Sequence, residues 1–408
     1  MSADPIVIVG GGHAAAALCA ALAEAGQGAR VHLVSAEHEL PYQRPPLSKS
    51  FLKKTDEDVA PHKAAAWYAE QGVQTHLGDP VVSIDREARR VLLRSGSQLA
   101  YQHLVLATGT RARTLDALPP GLLNVHVLRD ADHARSLRIR LSEMVASGRR
   151  LTVLGGGFIG LELAASARQL GLYVSVLEVP PRLLGRSVSA SLGEHVLEHH
   201  RSMGTEVQIG VRIEGFELRE GRLLSLQVNG DRVAVDELVL GIGAVPETRL
   251  AADCGLVVDN GVVVDACMRT SDPAILAIGD CAAFPTTGGA RIRLESVQNA
   301  NDQARTAAAT LLGREEPYRS LPWFWSEQGP MRLQMAGLLP TSPQTTRRAG
   351  ANASSFTLFH VVDGRLLCAE SVNAPLDHMM SRKLIETGLL VNPASLADPS
   401  IPLKSLLV

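Results

Sequence analysis

Two stretches of this chain follow the order strand, glycine-rich turn, helix, strand, and they constrain the fold more than any other feature. In one of them, the apolar run 151–154 leads into Gly155, Gly157 and Gly160 at G-x-G-x-x-G spacing, and a second apolar run, 174–177, ends in Glu178. The first glycine permits a tight turn, the second lets the backbone approach a pyrophosphate, and the third brings helix and strand together. We therefore predict a βαβ unit that binds a dinucleotide. We expect the apolar face of its helix to carry Ile159, Leu163, Ala167 and Leu170.

The acid at the end of the second strand indicates which dinucleotide is bound. Glu178 can accept hydrogen bonds from the adenosine ribose hydroxyls. A 2′-phosphate there would meet a like charge, at a cost of roughly 1 to 4 kcal/mol at about 4 Å for effective dielectric constants of ~80 to ~20. The sequence therefore predicts NADH in preference to NADPH. Arg182, a little further along, is the residue that would weaken this preference.

The chain begins with a second pattern of the same kind. The apolar run 6–9 leads into Gly10, Gly12 and Ala15, the G-x-G-x-x-A form, followed by an Ala-rich helix that ends at Gly26 or Gly28 and a strand over 30–34. Two such patterns predict two bound nucleotides. Ala36 occupies the strand-end position, so Glu37 becomes the candidate ribose acid. We interpret His13 as a spacer beside the phosphates.

Composition narrows the class of protein. A length of 408 residues favours two or three domains, and a content of 46% hydrophobic and 20% charged residues is ordinary for a globular protein. The net charge of -2 provides no general positive field for nucleic acid. The five cysteines include no C-x-x-C pair, so neither a zinc site nor a local redox disulfide is indicated. Without a recognisable signal peptide or membrane-length apolar run, we expect a cytoplasmic protein that does not bind membranes.

One metal-site pattern needs consideration. His195, Glu198 and His199 spell H-x-x-E-H, the inverted zinc-peptidase signature. No third ligand is identifiable, and the neighbours Glu194 and His200 favour a solvated polar surface. We therefore predict no metal site.

Local patterns predict several further elements. A helical stretch is expected over 55–71, a β-rich section over 73–93, and strands over 104–107 and 274–278. Ser296 is a suitable N-cap for a helix that runs to about Leu312 and closes at Gly313. Near the carboxy terminus, two alternating runs flank Asp363 and Gly364, which predicts a β-hairpin, and a helix is expected over 376–387.

Seven segments together resemble one enzyme family, the ferredoxin reductases that serve bacterial Rieske aromatic-ring dioxygenases and certain cytochrome P450 systems. They occur in the family's order over nearly the whole chain: YQRPPLSK (42–49), LVLATGT (104–110), GGGFIGLELAA (155–165), LVLGIGAVPE (238–247), LAIGDCA (276–282), LESVQNANDQAR (294–305) and PWFWSEQ (322–328).

The resemblance implies an α/β fold with two Rossmann-like dinucleotide-binding domains, as in glutathione reductase, and a small α+β carboxy-terminal domain. It places an FAD domain at residues 1–112 and 245–320, an NAD domain at 113–244 and the last domain at 321–408.

The resemblance and the two glycine patterns together imply the binding residues. We expect FAD to contact Gly10, Gly12, His13, Ala14, Glu37, Arg44, Lys49, Val81, Ala107, Thr108, Gly109, Arg129, Gly279, Asp280, Glu295, Ser296, Val297 and Trp323. We expect NAD to contact Gly155, Gly157, Phe158, Ile159, Gly160, Glu162, Glu178, Gly241, Ile242 and Gly243. Lys49 and Glu162 are the candidate catalytic residues, which would tune the surroundings of flavin and nicotinamide. The positive end of the helix that starts near Val297 would stabilise the reduced flavin.

The implied activity is transfer of a hydride from NADH to FAD, and then of single electrons to a small iron-sulfur ferredoxin, of the Rieske type, that serves an aromatic-ring dioxygenase or similar oxygenase. The missing dithiol argues against thioredoxin and glutathione reductases. A flavin peroxidase or NADH oxidase would need a cysteine where the chain has 46–49, PLSK. Two alternatives stay open: a rubredoxin or monodehydroascorbate reductase, and a redox interaction protein similar to apoptosis-inducing factor.

Overall fold

The computed structural model describes residues 4–54, 56–286 and 288–407. The chain forms two compact units, each assembled from separate segments. Unit 1 consists of residues 1–44, 59–111 and 245–322, and unit 2 consists of residues 45–58, 112–244 and 323–408. The segment YQRPPLSK is divided between them, with Arg44 in unit 1 and Lys49 in unit 2.

The described strands are β1 (Ile6–Val9), β2 (Val31–Val34), β3 (Gln74–His76), β4 (Val81–Asp85), β5 (Arg90–Leu93), β6 (Gln98–Ala100), β7 (His103–Leu106), β8 (Thr110–Ala112), β9 (Val125–Val127), β10 (Arg150–Leu154), β11 (Tyr173–Glu178), β12 (Glu206–Ile209), β13 (Ile213–Arg219), β14 (Arg222–Val228), β15 (Asp231–Ala234), β16 (Glu237–Leu240), β17 (Ala244–Pro246), β18 (Val262–Val263), β19 (Ile275–Ala277), β20 (Ala282–Pro285), β21 (Arg291–Ile292), β22 (Trp323–Gln328), β23 (Met331–Gly337), β24 (Gln344–Ala349), β25 (Phe356–Val362) and β26 (Arg365–Val372). The α-helices are α1 (His13–Glu24), α2 (Ser50–Lys53), α3 (Ala65–Glu70), α4 (Ala131–Ser147), α5 (Phe158–Gln169), α6 (Ala190–Ser202), α7 (Arg249–Asp253), α8 (Val297–Leu311), α9 (Pro375–Thr387) and α10 (Pro393–Ala397). Short 3₁₀ turns occupy Gly28–Arg30, Pro45–Ser48, Gly279–Cys281 and Leu403–Leu407.

Unit 1 is built on a parallel sheet in the order β19-β7-β1-β2-β3. Its central strands, β1 and β7, are almost continuously apolar, which is the composition that a parallel sheet covered on both faces requires. Helices α1 and α8 supply small and aliphatic side chains to the same core. The first glycine turn therefore follows the central strand, at the carboxyl edge where ligands of such sheets bind.

Unit 2 contains a second parallel sheet in the order β12-β11-β10-β16-β9, an antiparallel sheet β13-β14-β15, and the carboxy-terminal antiparallel sheet β22-β23-β26-β25-β24. Side chains of α5, α6, β23 and β25 share one apolar cluster. The second glycine turn joins β10, again a central strand, to α5. The nucleotide-binding part and the carboxy-terminal sheet are thus packed within one unit.

Several predicted elements are confirmed. The carboxy-terminal hairpin is formed by β25 and β26, and both turn residues, Asp363 and Gly364, have positive φ, 49° and 72°, as a type I′ turn requires. The Ser296 hydroxyl accepts a hydrogen bond from the Asn299 N–H at 3.1 Å and caps α8.

Two predictions are wrong. The helical stretch expected over 55–71 is reduced to α3, and Thr55 lies outside the described residues. Residues 60–62 are instead held alongside 41–43 by backbone hydrogen bonds, and Pro61, which lacks an N–H, lies in the middle of this stretch. Ile159, assigned to the apolar face of α5, is 49% exposed.

Among the described residues, the helices are too short or too polar to cross a membrane.

Candidate nucleotide-binding sites

The first glycine turn brings the end of β1 very close to the end of β7. Gly10 has φ +128°, and a Cβ atom there would lie 2.1 Å from the carbonyl oxygen of Ala107. Only glycine allows this approach. The fold itself therefore requires Gly10.

The second glycine of the same turn has a different reason to be there. Gly12 is the N-cap of α1 with an ordinary φ of −98°, and the nearest described atom to a Cβ there would be Nε of Arg44, at 3.9 Å. No described side chain caps the helix, and its first turn carries no acid. The fold leaves room at Gly12, beside uncapped N–H groups and a guanidinium, so the turn is suited to a phosphate group.

The second glycine turn repeats this arrangement in unit 2. Gly155 has φ +114°, and a Cβ there would lie 2.3 Å from the Gly241 carbonyl oxygen. A Cβ on Gly160 would lie 2.4 Å from the carbonyl oxygen of Gly155, which explains the third glycine by helix packing. Gly157 again has an ordinary φ of −82°, and 3.8 Å separates its would-be Cβ from the nearest described atom. Both turns therefore fit a bound pyrophosphate.

The acid after β11 lies against the second turn. Glu178 Oε2 accepts a hydrogen bond from the N–H of Gly156. Burial raises the pKa of the half-buried Glu178, and the Gly156 hydrogen bond and the charge of Arg186 counteract part of this effect. Arg182 donates to the carbonyl oxygens of Val188 and Gly185, at 2.8 and 2.6 Å. The guanidinium of Arg182 is therefore used to hold its own loop.

Glu162 lies at the centre of a buried polar cluster in unit 2. Only 3% of its surface is exposed. Its Oε2 accepts from Lys49 Nζ at 2.6 Å and from Ser48 Oγ at 2.5 Å, and its Oε1 accepts from Ser326 Oγ at 2.7 Å. Lys49 Nζ also donates to the Pro45 carbonyl oxygen at 2.9 Å. The structure therefore joins the two candidate catalytic residues directly.

Sequence reasoning missed Ser48 and Ser326. Both lie inside segments that carry the family resemblance, 42–49 and 322–328, next to residues that were selected there, Lys49 and Trp323. Their position within these segments is the only feature of the sequence that could have indicated these two serines as site residues.

Glu37, the candidate ribose acid of unit 1, is held on both oxygens. Its Oε1 accepts from Arg44 Nη2 at 2.5 Å and its Oε2 from the Tyr42 hydroxyl at 2.6 Å. Arg44 is thereby fixed beside Gly12.

The other expected FAD residues of unit 1 lie after β1, β7 and β19, at the start of β4 and at the start of α8. Ala14 and Val81 are buried, and the Thr108 hydroxyl donates to the Glu247 carbonyl oxygen at 2.6 Å. His13 packs against the ring of His62, and Gly109 has φ +66°. The Gly279 N–H donates to Gln303, and the Asp280 carbonyl oxygen accepts from Arg293, which is also paired with Glu295. Ser296 and Val297 lie at the start of α8.

In unit 2, Phe158 packs edge-on against Phe324, with ring centroids 5.1 Å apart. Trp323 lies 5.8 Å from Trp325 and beneath the Arg382 guanidinium, 4.7 Å from the ring centroid. The remaining placements are Arg129 between β9 and α4, Ile159 exposed at the start of α5, and Gly241, Ile242 and Gly243 directly after β16.

The H-x-x-E-H histidines serve as packing and hydrogen-bonding groups. His195 packs edge-on against Phe356, while His199 Nε2 lies 3.0 Å from the Gln328 carbonyl oxygen and His200 Nε2 lies 2.8 Å from Gln328 Oε1. The solvated surface predicted for this helix is wrong at His200, which is fully buried. The described residues form no group of three or more His, Cys, Asp or Glu side chains that could hold a metal, and the five cysteines are free thiols.

Comparisons with known proteins agree with this geometry. Residues 4–304 match the family of pyridine nucleotide-disulphide oxidoreductases, and residues 323–407 match the reductase C-terminal family. Rhodocoxin reductase of Rhodococcus erythropolis is 42% identical over 98% of this chain and 93% of its own length. The ferredoxin–NAD(+) reductase component of the anthranilate 1,2-dioxygenase system of Burkholderia cepacia is 42% identical over the whole of both chains. The reductase in the crystal structure of the covalent putidaredoxin reductase–putidaredoxin complex is 35% identical and superimposes with a TM-score of 0.93 over 100% of this chain and 99% of that one.

The predicted fold class, enzyme class and cofactor pair, FAD and NAD(H), are confirmed by these likenesses. The sequence-based recognition is confirmed as well. The chain belongs to the ferredoxin reductases of the pyridine nucleotide-disulphide oxidoreductase family.

Proposed function

We propose that this chain carries electrons from NADH through FAD to a small iron-sulfur ferredoxin of an oxygenase system. The observation that carries the proposal is the pair of glycine turns. In each turn the first glycine is demanded by the fold, and the second, Gly12 or Gly157, has room for a side chain that only a bound phosphate would exclude.

In unit 1, we assign the FAD pyrophosphate to the turn at Gly10, Gly12 and Ala14. Arg44 supports this assignment, because its guanidinium lies beside Gly12 and adds positive charge to the uncapped end of α1. The other FAD contacts that the sequence predicts remain part of the proposal. FAD, when bound, supplies the conversion of a two-electron donor into a one-electron donor.

In unit 2, we assign the NADH pyrophosphate to the turn at Gly155 and Gly157, and the adenosine ribose to Glu178. The choice of NADH over NADPH is supported by Arg182, since its guanidinium is bonded to loop carbonyl groups rather than offered to a 2′-phosphate. Glu162 would accept from the nicotinamide carboxamide. Its ion pair with Lys49 compensates the negative charge of the buried carboxylate.

The partner is proposed from the relatives. One relative is named as a reductase component of a dioxygenase system, and another was crystallised as a covalent complex with putidaredoxin. We infer a ferredoxin as electron acceptor, of the Rieske type if the oxygenase is an aromatic-ring dioxygenase. The cytoplasm is the proposed location.

A reconstituted assay tests the function. Purified protein should be yellow with bound FAD, and NADH should drive rapid cytochrome c reduction only after a ferredoxin is added. Ferricyanide is the matched control acceptor, because a small ion does not need a docked partner. Equal cytochrome c reduction with and without ferredoxin would refute the electron-carrier function, and colourless protein that takes up no FAD would refute the site assignment.

A further inference from the structure

A chain of buried hydrogen bonds leads away from Glu162 into the carboxy-terminal sheet and α6. Ser326 Oγ lies 2.7 Å from Glu162 Oε1, Gln328 Nε2 lies 3.3 Å from Ser326 Oγ, and His200 Nε2 lies 2.8 Å from Gln328 Oε1. Ser326, Gln328 and His200 are all fully buried. These partners are therefore shielded from bulk solvent.

The direction of every bond in this chain follows from the charge at its end. An ionised carboxylate only accepts, so the single proton of the Ser326 hydroxyl must be donated to Glu162. The Ser326 oxygen is then an acceptor, which orients the Gln328 amide with its NH₂ toward Ser326 and its oxygen toward His200. His200 must in turn donate from Nε2.

The histidine at the far end suits this arrangement. His200 Nδ1 is buried and has no hydrogen-bond partner among the described residues. A protonated ring would need a partner there as well, and burial lowers the pKa of His200 to about 4, against the smaller opposing effect of Gln328. His200 is therefore a neutral ring with its proton on Nε2 at neutral pH.

The hydrogen bonds to Glu162 do not use all the acceptor positions of its carboxylate. Among the described residues, Oε2 accepts from Lys49 and Ser48, whereas Oε1 accepts from Ser326 alone. A carboxylate offers about four acceptor positions, so one position remains, on the oxygen that Ser326 holds. Ser326 is therefore the donor that holds the oxygen on which that position remains.

We propose that Ser326, backed by Gln328 and His200, is a positioning residue that aims the free acceptor position of Glu162 at the nicotinamide carboxamide. The inference rests on the proposed NADH site. It adds that the carboxy-terminal strand β22, far away in sequence, controls nicotinamide orientation while leaving the rest of the dinucleotide site unaffected.

The test compares holoenzyme variants with NADH and with ADP-ribose, which lacks the nicotinamide. Ser326→Ala should lower kcat/KM for NADH about tenfold with ferricyanide as acceptor, which corresponds to about 1.4 kcal/mol. Its Ki for ADP-ribose should stay within about twofold of the wild-type value. Cysteine is nearly equal in size to serine but is a weaker donor, so kcat/KM of Ser326→Cys for NADH should lie between the values of the wild type and of Ser326→Ala. This second variant guards against a folding defect in the alanine variant.

Ser371→Ala is the matched control. Ser371 is also fully buried in the carboxy-terminal sheet and hydrogen-bonded, to Thr357 at 3.1 Å. Ser371→Ala should leave kcat/KM for NADH and Ki for ADP-ribose within about twofold of the wild-type values. Unchanged NADH kinetics in both Ser326 variants, or an equal loss of NADH and ADP-ribose affinity, would overturn the inference alone. Wild-type protein that holds FAD but does not oxidise NADH would overturn the proposed function as well.

Discussion

Replacing Glu178 by glutamine should reduce the preference for NADH over NADPH. The carboxylate is half-buried beside the second glycine turn and accepts the Gly156 N–H. Glutamine keeps an oxygen for that bond and removes the charge. The substitution thus isolates electrostatics from packing.

The magnitude follows from Coulomb's law. A unit negative charge about 4 Å from a phosphate charge costs ~1 kcal/mol at the dielectric constant of water and ~4 kcal/mol at an effective value of ~20. A half-buried group lies between these limits, at about 2 kcal/mol, which is roughly a thirtyfold change in relative kcat/KM. Arg182 should not diminish this effect, because its guanidinium is bonded to Val188 and Gly185.

The assay is ferricyanide reduction with each nucleotide in turn. Glu206→Gln is the control, because Glu206 lies on the neighbouring strand but three residues from the partner of Glu178, about 10 Å away along β12. It is exposed and paired with Arg150, so its loss should leave the ratio unchanged. A glutamine variant of Glu178 with the wild-type ratio would refute the assignment of the ribose site.

The same carboxyl group predicts a pH dependence. Burial raises the pKa of Glu178, so on acidification it takes up a proton at a higher pH than an ordinary glutamate would. The repulsion of NADPH exists only above the folded pKa. The NADH/NADPH ratio of the wild type should therefore fall more steeply as the pH is lowered than that of Glu178→Gln, in which only the 2′-phosphate titrates, with a second pKa of about 6.

Five further substitutions test three predictions about the fold and the site. Gly157→Ala should leave Tm almost unchanged and raise KM for NADH at least tenfold, whereas Gly160→Ala, whose Cβ would lie 2.4 Å from a backbone oxygen, should lower Tm by several degrees; equal stabilities would contradict the packing argument. Lys49→Met should lower the free energy of unfolding in urea by about 3 kcal/mol, because Glu162 is left buried without its ion-pair partner. Lys53→Met loses only an exposed hydrogen bond to Gln169 and should lower it by under about 1 kcal/mol. Burial lowers the pKa of His378 from 6.5 to about 4, so stability is lost as pH falls below 6.5, by about 2 kcal/mol between pH 7.5 and 5; His378→Leu should remove that part of the acid sensitivity, and an unchanged pH profile would contradict it.

The parts of the fold that could be predicted are those that depend on the spacing of residues close together in sequence. Both βαβ units, the Ser296 cap and the turn at Asp363 and Gly364 depend on residues close together in sequence, whose backbone requirements are specific. The helix expected over 55–71 failed because pairing of Pro61 with Tyr42 is a tertiary contact. Ile159 failed because an apolar residue at helical spacing need not face the core at the first turn.

The candidate site shows the same division. Glu162 could be selected from the segment after the glycine turn, but its partners Ser48 and Ser326 are 114 and 164 residues away. Neither periodicity nor spacing relates positions so distant. The burial of His200 was likewise hidden, because Gln328, which is hydrogen-bonded to its Nε2, belongs to another part of the sequence.

The carboxy-terminal sheet makes buried polar contacts with the nucleotide-binding part of unit 2. Its strand β26 provides Glu370, whose carboxylate accepts the backbone N–H of Ser189 at 2.7 Å and the Ser189 hydroxyl at 2.5 Å, at the start of α6. Its strand β22 provides the partners of His200 and Glu162. Because buried polar groups must be hydrogen-bonded, removal of this sheet would leave charges and donors without partners in both α5 and α6. We therefore expect dinucleotide binding by residues 4–304 to require contacts made by residues 323–407.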